Sequence, residues 1–207
     1  VLVPCPSYPL LEYLTVSESI TPIPYPLIYD EIWQIDLAQL EHSISNRTRA
    51  LLLLHPNNPT GSYIKRKEWE VLKELSFCHS LPLICDEVFF QYFMETVEEK
   101  NELNGEELPL MFLLNGLSKT VGLPQLKLAW IAAVGPRKEC STSLKNLEIL
   151  SDTYLSLATP VQHGLQHLLD TDIQHQIHQR CRKNLYTLGV ILKESPVSPL
   201  RTEGGWY

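Results

Sequence analysis

Three short polar segments carry side chains that can do chemistry, and each lies in a different part of the chain. They are His55–Gly61, which contains Asn58, the acidic pair Asp86–Glu87, and Asn115–Thr120, which contains Lys119. An amide donates and accepts hydrogen bonds, a carboxylate stabilises a nearby cation, and a lysine amine acts as a nucleophile or as an acid–base group. This chemistry needs the three side chains in one crevice, so the fold has to bring them together.

Short apolar runs precede all three segments and alternate with stretches of helical periodicity. The predicted strands cover residues 1–4, 49–55, 81–86, 110–114 and 128–134, and the predicted helices follow the N-cap Asp36, cover 65–80 and fill most of 136–193. This alternation predicts an α/β fold with a largely parallel sheet that helices cover on both faces. Ligands of such sheets bind at the carboxyl ends of the strands. The sequence therefore predicts that an amide, a carboxylate and an amine meet there.

Each polar segment also has a simpler interpretation when it is taken alone. Asn-Pro-Thr-Gly is a typical turn, an acid after a strand often caps a helix, and a lysine beside glycine and serine is usually solvated. A functional site is favoured because all three segments occur in this order, each at the end of a predicted strand.

The composition excludes several classes of protein. The 207 residues are 44% hydrophobic and 20% charged with a formal net charge of -7, which argues against a nucleic-acid surface. No apolar run approaches the ~20 residues that cross a bilayer, and no secretory signal is visible. The five cysteines are scattered without zinc-like spacing. We therefore expect a cytoplasmic protein that binds neither membranes nor nucleic acids.

The two ends of the chain resemble the interior of a longer protein. Val1–Pro4 has the pattern of a strand whose beginning is missing, and Gly204–Tyr207 has the pattern of a turn that enters a strand. We therefore expect a fragment that is incomplete at both ends. The acidic segment 95–108 is predicted to be an exposed loop, and Trp206 is expected to have a structural role.

Several motifs resemble those of the class I and II aminotransferases, which are fold-type I enzymes that depend on pyridoxal 5′-phosphate (PLP). The resemblance is carried by Val3–Pro9, His55–Gly61, Cys85–Val88, Leu117–Trp130 and Glu203–Tyr207. It covers nearly the whole chain and is most specific around Ser-Lys-Thr. It implies a fold-type I PLP-transferase-like sheet and the start of a small α/β C-terminal domain. Residues 1–135 would form a partial PLP-binding large domain, and 136–207 the connecting helices and part of the small domain.

The resemblance also implies a role for individual residues. Lys119 corresponds to the lysine that forms a Schiff base with PLP and then moves a proton at the substrate α-carbon. Asp86 corresponds to the carboxylate that pairs with the pyridine nitrogen, and Asn58 to the amide that hydrogen-bonds the ring hydroxyl oxygen. Tyr8 would stack on one face of the ring, and Val88 would pack on the other.

Three positions depart from the family pattern. Lys127 stands where an arginine usually binds the phosphate, and it supplies the charge without the bidentate fork. Gly116 replaces a hydroxyl residue, so phosphate binding is expected to rely on Ser118 and on residues outside this chain. Phe89 replaces a tyrosine that donates to the ring hydroxyl oxygen, and Tyr92 is the expected substitute.

The function implied by the resemblance is the transfer of an amino group from an amino acid to a 2-oxo acid by a homodimer. A PLP-dependent lyase, for instance one that cleaves a carbon–sulfur bond, would use the same Lys119. A non-catalytic aminotransferase-like domain of a transcription regulator and an inactive copy also stay open.

Two histidine pairs and one cysteine have functional and structural interpretations. His163 and His167, and likewise His175 and His178, have a spacing that can bind metal on a helix. Because no acidic or cysteine partner is obvious, we interpret both pairs as polar helix faces and expect no metal. We interpret Cys85 as buried core rather than as a reactive thiol.

Overall fold

The computed structural model describes residues 1–94, 103, 107–154 and 156–207. In chain order, the elements in these residues are β1 (Leu2–Cys5), α1 (Pro9–Ser17), β2 (Ile23–Asp30), β3 (Ile32–Ile35), α2 (Leu37–His42), β4 (Leu51–Leu54), α3 (Arg66–His79), β5 (Leu83–Asp86), β6 (Met111–Gly116), α4 (Leu117–Thr120), a 3₁₀ turn (Pro124–Leu126), β7 (Ala129–Val134), α5 (Arg137–Asp152), α6 (Thr159–Leu169) and α7 (Ile173–Leu192).

The strands form one sheet of seven in the order β3-β2-β1-β4-β5-β6-β7. The five strands from β2 to β6 in this order run parallel, whereas the edge strands β3 and β7 are antiparallel to their neighbours. The predicted α/β fold with a largely parallel sheet is confirmed. The antiparallel direction of β7 is a feature that periodicity does not indicate.

The four leucines of β4 explain why this strand lies in the middle of the sheet. All four are buried, and their side chains alternate between the two faces of the sheet. On one face they pack with Trp69 and Leu72 of α3. On the other face they pack with Val3 of β1 and with Leu11 of α1. A strand that is apolar on both faces has to be covered on both, which fixes helices on either side of the site.

Polar side chains fix the starts of α2 and α3. The N-cap residue of α2 is Asp36, as predicted, and its side chain accepts a hydrogen bond from the Gln39 amide at 3.0 Å. The buried Glu68 of α3 accepts one backbone hydrogen bond from Lys65 and another from Ile35, both at 2.6 Å. Glu68 therefore joins α3 to the edge strand β3, which the sequence pattern alone does not reveal.

The predictions omit the first helix and two strands. Most positions of α1 are apolar and none of its residues is buried, so its sequence lacks the contrast between an apolar and a polar face that marks an amphipathic helix. Strand β2 contains Pro24 and Pro26, which argue against a strand although they pair with β1 in the register of the sheet. Strand β3 has only four residues. Tertiary pairing rather than local pattern forms these elements.

The carboxyl-terminal third is mostly helical, as predicted. Pro136 lies at the N-cap of α5, one residue before its first turn. The apolar residues of α6 are spaced three and four apart, and they pack on the turn that follows β6. This cluster consists of Leu117, Val121, Leu128, Val161, Leu165 and Leu168.

Two expectations about irregular segments have a different outcome. Gly204 forms an isolated antiparallel bridge with Phe93, and residues 205–207 lie outside any strand, so the strand expected after this turn is wrong for these residues. The segment 95–108, which is predicted to be an exposed loop, lies mostly outside the described residues. Within it, Leu103 is buried in the main core.

Among the residues that the structure describes, no helix has both the length and the apolar character to cross a membrane. The five cysteines are all free, and Cys85 is buried as predicted.

Candidate active site

Asp86 lies at the centre of the site because its strand is flanked by the strands that lead to the other polar segments. The register of the sheet pairs Asp86 with Leu54 of β4 and with Leu114 of β6. Backbone hydrogen bonds continue this alignment, from the His55 amide to the Asp86 carbonyl at 2.8 Å and from the Glu87 amide to the Leu114 carbonyl at 3.0 Å. The three polar segments therefore leave the sheet at the same edge.

The Asp86 carboxylate lies within electrostatic reach of the Lys119 ammonium group. Burial raises the pKa of Asp86 above its ordinary value, and two neighbours oppose this shift. The Val88 amide donates to Asp86 Oδ1 at 3.1 Å, and the positive charge of Lys119 also favours the carboxylate form. A partly dehydrated carboxylate that lies near a cation is suited to hold a cationic ring nitrogen. Two of the predicted site residues are thus brought together.

Aromatic rings line the same part of the site. The Lys119 Nζ atom is 5.6 Å from the centre of the buried Phe89 ring, which is within the range of a cation–π contact. Edge-to-face contacts join Phe89 to Trp206 at 5.5 Å and to Tyr207 at 5.0 Å between ring centres. The departure at Phe89 therefore removes a phenol from a position next to the Lys119 amine and leaves an apolar surface there.

Asn57 sets the shape of the loop that carries Asn58. The buried Asn57 side chain donates to the Pro6 carbonyl at 3.1 Å and to Thr60 Oγ1 at 2.9 Å. Its backbone closes the turn, because the Gly61 amide donates to the Asn57 carbonyl at 2.7 Å. In the described part of the chain, Asn57 Oδ1 is buried and has no hydrogen-bond partner. The half-buried Asn58 is thus held beside the loop that leaves β1.

Tyr207 is a site residue that the sequence pattern does not reveal. Its hydroxyl donates to the Asn57 carbonyl, a contact between residues 150 positions apart. Burial raises the pKa of Tyr207 well above its ordinary value, and the nearby Tyr63 and Asp86 raise it further. The phenol therefore keeps its proton between the Asn57 loop and the Asp86 carboxylate.

Asn115 holds the turn that leads from β6 to Lys119. Its Oδ1 atom accepts from the Gly116 amide at 2.7 Å and from Thr120 Oγ1 at 3.0 Å, and its Nδ2 atom donates to the Glu87 carbonyl at 3.2 Å. One side chain therefore ties the lysine turn to the loop that follows Asp86.

The departure at Gly116 has a steric reason. A Cβ atom at this position would lie 2.9 Å from the Leu128 carbonyl oxygen and 3.0 Å from the backbone of Ala129. The close approach of these backbones leaves no room for a hydroxyl side chain.

Three further predicted residues have no described contact that defines their role. Tyr8 is 44% exposed and precedes α1. Ser118 is half-buried in α4, next to Lys119. Lys127 is exposed and has a left-handed backbone with φ of 53° at the end of the 3₁₀ turn. Their contacts with a cofactor stay predictions.

The expectation for Tyr92 requires a correction. Its hydroxyl donates to the backbone carbonyl of Lys119 at 2.6 Å and to that of Thr120 at 3.0 Å. A phenol has one proton, and here that proton is directed at the main chain. Tyr92 therefore does not replace the donor that is missing at Phe89. It supports the backbone of the lysine instead.

The last residues of the chain fold back onto both loops of the site. The Gly61 carbonyl accepts hydrogen bonds from the amides of Glu203 at 3.2 Å and Gly204 at 2.9 Å, and the Gly205 amide donates to the Tyr92 carbonyl at 2.9 Å. The Glu203 carboxylate forms a buried ion pair with Lys65. Residues 203–205 thus link the Asn58 loop to the loop that contains Tyr92.

Known proteins share both the sequence and the fold of the chain. The sequence model of the family described as "Aminotransferase class I and II" matches residues 1–204. The chain is 31% identical over 166 residues to the alanine aminotransferase of Mycobacterium tuberculosis, a match that covers 80% of the chain and 39% of that protein.

Solved structures show the same architecture. Alanine aminotransferase from Pyrococcus furiosus superposes with a TM-score of 0.85 at 25% identity, covering 98% of the chain and 52% of that structure. The PLP-bound C–S lyase from Staphylococcus hominis shares the fold at 15% identity with a TM-score of 0.72, covering 93% and 49%. The chain thus spans about half the length, or less, of these relatives. It belongs to the class I and II aminotransferase family and has a fold-type I architecture.

Proposed function

We propose that the full-length protein is a PLP-dependent aminotransferase that transfers an amino group from an amino acid to a 2-oxo acid. The observation that carries this proposal is the position of the Lys119 amine within electrostatic reach of the buried Asp86 carboxylate. Both groups lie at the carboxyl edge of a parallel sheet in a member of the class I and II family. Family membership and site chemistry point to the same function.

The donor set at this edge fits PLP. An amine complements an aldehyde, and a carboxylate that already faces a cation complements a protonated ring nitrogen. When bound, PLP supplies an electron sink for negative charge at the substrate α-carbon. Asp86 would keep the ring nitrogen protonated, because the positive charge favours the ionised carboxylate against the effect of burial.

The remaining residues would orient the cofactor and move the proton. Lys119 would hold the aldehyde carbon and, once released by the substrate amine, take the proton from the α-carbon and return it. Asn58 would donate to the ring hydroxyl oxygen, and Tyr8 would stack on the ring. Ser118 and Lys127 would hold the phosphate, with Lys127 acting as a single charge rather than a fork.

We also propose that the full-length protein is a homodimer and that it is located in the reducing environment of the cytoplasm. The free state of all five cysteines supports the reducing environment. The dimer is expected from the family resemblance.

Lys119→Ala in the full-length protein tests the assignment of the lysine. We expect the wild-type protein with PLP to show an absorbance band near the visible edge that borohydride removes, and we expect the variant to lack it. Lys145→Ala is the control, because Lys145 is exposed on α5 and should leave the band unchanged. A reducible band in Lys119→Ala, or a borohydride label on another lysine, would overturn the assignment.

A panel of amino acids tests the reaction. With 2-oxoglutarate as acceptor, an aminotransferase forms glutamate and the 2-oxo acid of the donor. Release of ammonia without an acceptor would instead identify a lyase, which can use the same fold and the same lysine. A reducible band without turnover of any donor would identify a non-catalytic sensor.

A further inference from the structure

The Lys119 main chain is held by a residue that is outside the three polar segments. Tyr92 is fully buried, and its hydroxyl donates to the carbonyls of Lys119 at 2.6 Å and Thr120 at 3.0 Å. Helix α4 has only four residues, so the carbonyls at its end lack partners within the helix. The phenol supplies a partner to both of them at the residue that carries the reactive amine.

The ring of Tyr92 is itself held from three directions. Trp206 packs on it with 4.8 Å between ring centres, and Phe89 and His178 approach with their edges at 6.5 and 6.3 Å. The His178 ring also donates to the Phe93 carbonyl next to it. Burial raises the pKa of Tyr92 to about 12, with Cys181 adding a smaller effect, so the phenol stays protonated and remains a donor.

We propose that Tyr92 is the positioning residue that fixes the Lys119 backbone, and that Trp206 and His178 hold its ring in place for this task. The inference rests on the proposed function of Lys119 and adds a residue that acts through it. A displacement of a reacting group by about 1 Å can lower a rate by about 100-fold, so the position of the lysine backbone matters for proton transfer at the substrate.

Tyr92→Phe isolates the hydroxyl, because the ring and its packing remain. The matched control is Tyr25→Phe, which removes a buried phenol that donates at 2.8 Å to the Leu52 carbonyl in β4. Each variant loses one phenol hydroxyl that donates to the main chain in the interior, shared between two carbonyls for Tyr92 and directed at one for Tyr25. Only the first loses it at the lysine turn.

Amide hydrogen exchange of the full-length protein without PLP measures how often the lysine turn opens. The Val121 and Leu123 amides both donate to the Leu117 carbonyl, so their exchange reports how often the lysine turn opens. We expect Tyr92→Phe to accelerate this exchange about five- to tenfold, as loss of one buried hydrogen bond implies. We expect Tyr25→Phe to leave it within twofold of the wild type.

Kinetics of the PLP-loaded protein provide the second measurement. We expect Tyr92→Phe to retain the PLP absorbance band and the KM for the amino donor within about twofold, while kcat falls about tenfold because the amine is less well positioned. Tyr25→Phe should keep the wild-type kcat. Unchanged exchange of the Val121 and Leu123 amides in Tyr92→Phe, or an equal loss of kcat in both variants, would overturn the proposal.

The two measurements separate this inference from the proposed function. The effect of Tyr92→Phe on exchange without PLP tests the contact between Tyr92 and the lysine turn. The effect of Lys119→Ala on the reducible band tests which lysine binds the cofactor. Accelerated exchange in Tyr92→Phe together with a band that survives Lys119→Ala would support the contact between Tyr92 and the turn and would overturn the role of Lys119.

Discussion

Two adjacent carboxylates at the edge of the sheet have different surroundings. Burial raises the pKa of Asp86 and also that of Glu87, which reaches about 7 with Asp86 as the second cause. Asp86 has the charge of Lys119 and the Val88 amide to favour its ionised form. No such favourable cause acts on Glu87 among the described residues. Asp86 is therefore suited to pair with a cation, and Glu87 is the group that titrates near neutral pH.

The Glu87 titration predicts a change of stability with pH. The folded state binds the Glu87 proton more tightly than the unfolded state, so the free energy of unfolding falls as pH rises from about 4.5 to about 7. Glu87→Gln removes this fall and should stabilise the full-length protein at pH 8 by roughly 1–2 kcal/mol, since partial exposure of Glu87 screens the effect.

Urea unfolding at pH 5 and pH 8 measures that difference. The exposed Glu74→Gln on α3 serves as the control and should keep the wild-type pH dependence. An identical pH dependence in Glu87→Gln and the wild type would show that Glu87 ionises without cost in the folded protein.

Residues that follow a strand can be predicted from the sequence, whereas residues that reach the site from elsewhere cannot. Asp86 and Lys119 stand in short contiguous motifs that follow apolar runs, so both become candidates once the polar segments are considered together. Tyr207 contacts a loop residue 150 positions away, and Tyr92 contacts a carbonyl 27 positions away. Such contacts depend on how the loops pack. The identity of Tyr92 suggests a donor, but only the fold shows which acceptor receives its proton.

At the scale of elements, the buried ion pair between Lys65 and Glu203 joins the start of α3 to the last segment of the chain. The Lys65 side chain is 12% exposed and that of Glu203 is 8% exposed. Glu203 Oε2 also accepts from the Tyr63 amide at 3.2 Å. Removal of one charge from such a pair leaves the other buried and unpaired, which is costly.

Glu203→Gln is therefore expected to lower the free energy of unfolding by about 3 kcal/mol. The comparison variant is Glu70→Gln, which breaks the ion pair with Lys73, where the glutamate side chain is 52% exposed. This second change should cost less than about 1 kcal/mol. Chemical denaturation of both variants measures the difference, and equal losses would mean that the Lys65 pair is no more buried in the full-length protein than the Lys73 pair.

The elements that the sequence predicts correctly are those with a regular hydrophobic pattern. Strand β4 is four leucines long and α6 has regular apolar spacing, so both are predicted correctly. Strand β2 is stabilised by its pairing with β1 and β3 despite its two prolines, which local propensity cannot indicate. The direction of β7 is likewise decided by its hydrogen bonds to β6.

For the whole molecule, the division into residues 1–135 and 136–207 stays a prediction. The contacts of residues 203–205 show that the end of the second part packs on loops of the first. The chain also exposes large apolar side chains on α1, namely Leu10, Tyr13, Leu14 and Val16. Apolar surface of this extent is usually covered by further chain or by a partner.

The homodimer is the testable prediction at this scale. Sedimentation equilibrium of the full-length protein at micromolar concentration should give twice the mass of one chain, because family resemblance implies a paired assembly with an apolar interface. The mass of a single chain over the whole concentration range would contradict this expectation.

The ladder between β6 and β7 runs from Met111 with Val134 to Gly116 with Ala129. The chain therefore leaves the sheet and rejoins it at neighbouring points, and Lys119 lies on the excursion between them. A residue gained or lost between Val121 and Leu128 would change the path of that excursion while every strand keeps its partner. Such a change would shift Lys127 relative to Lys119 without the sheet being rebuilt.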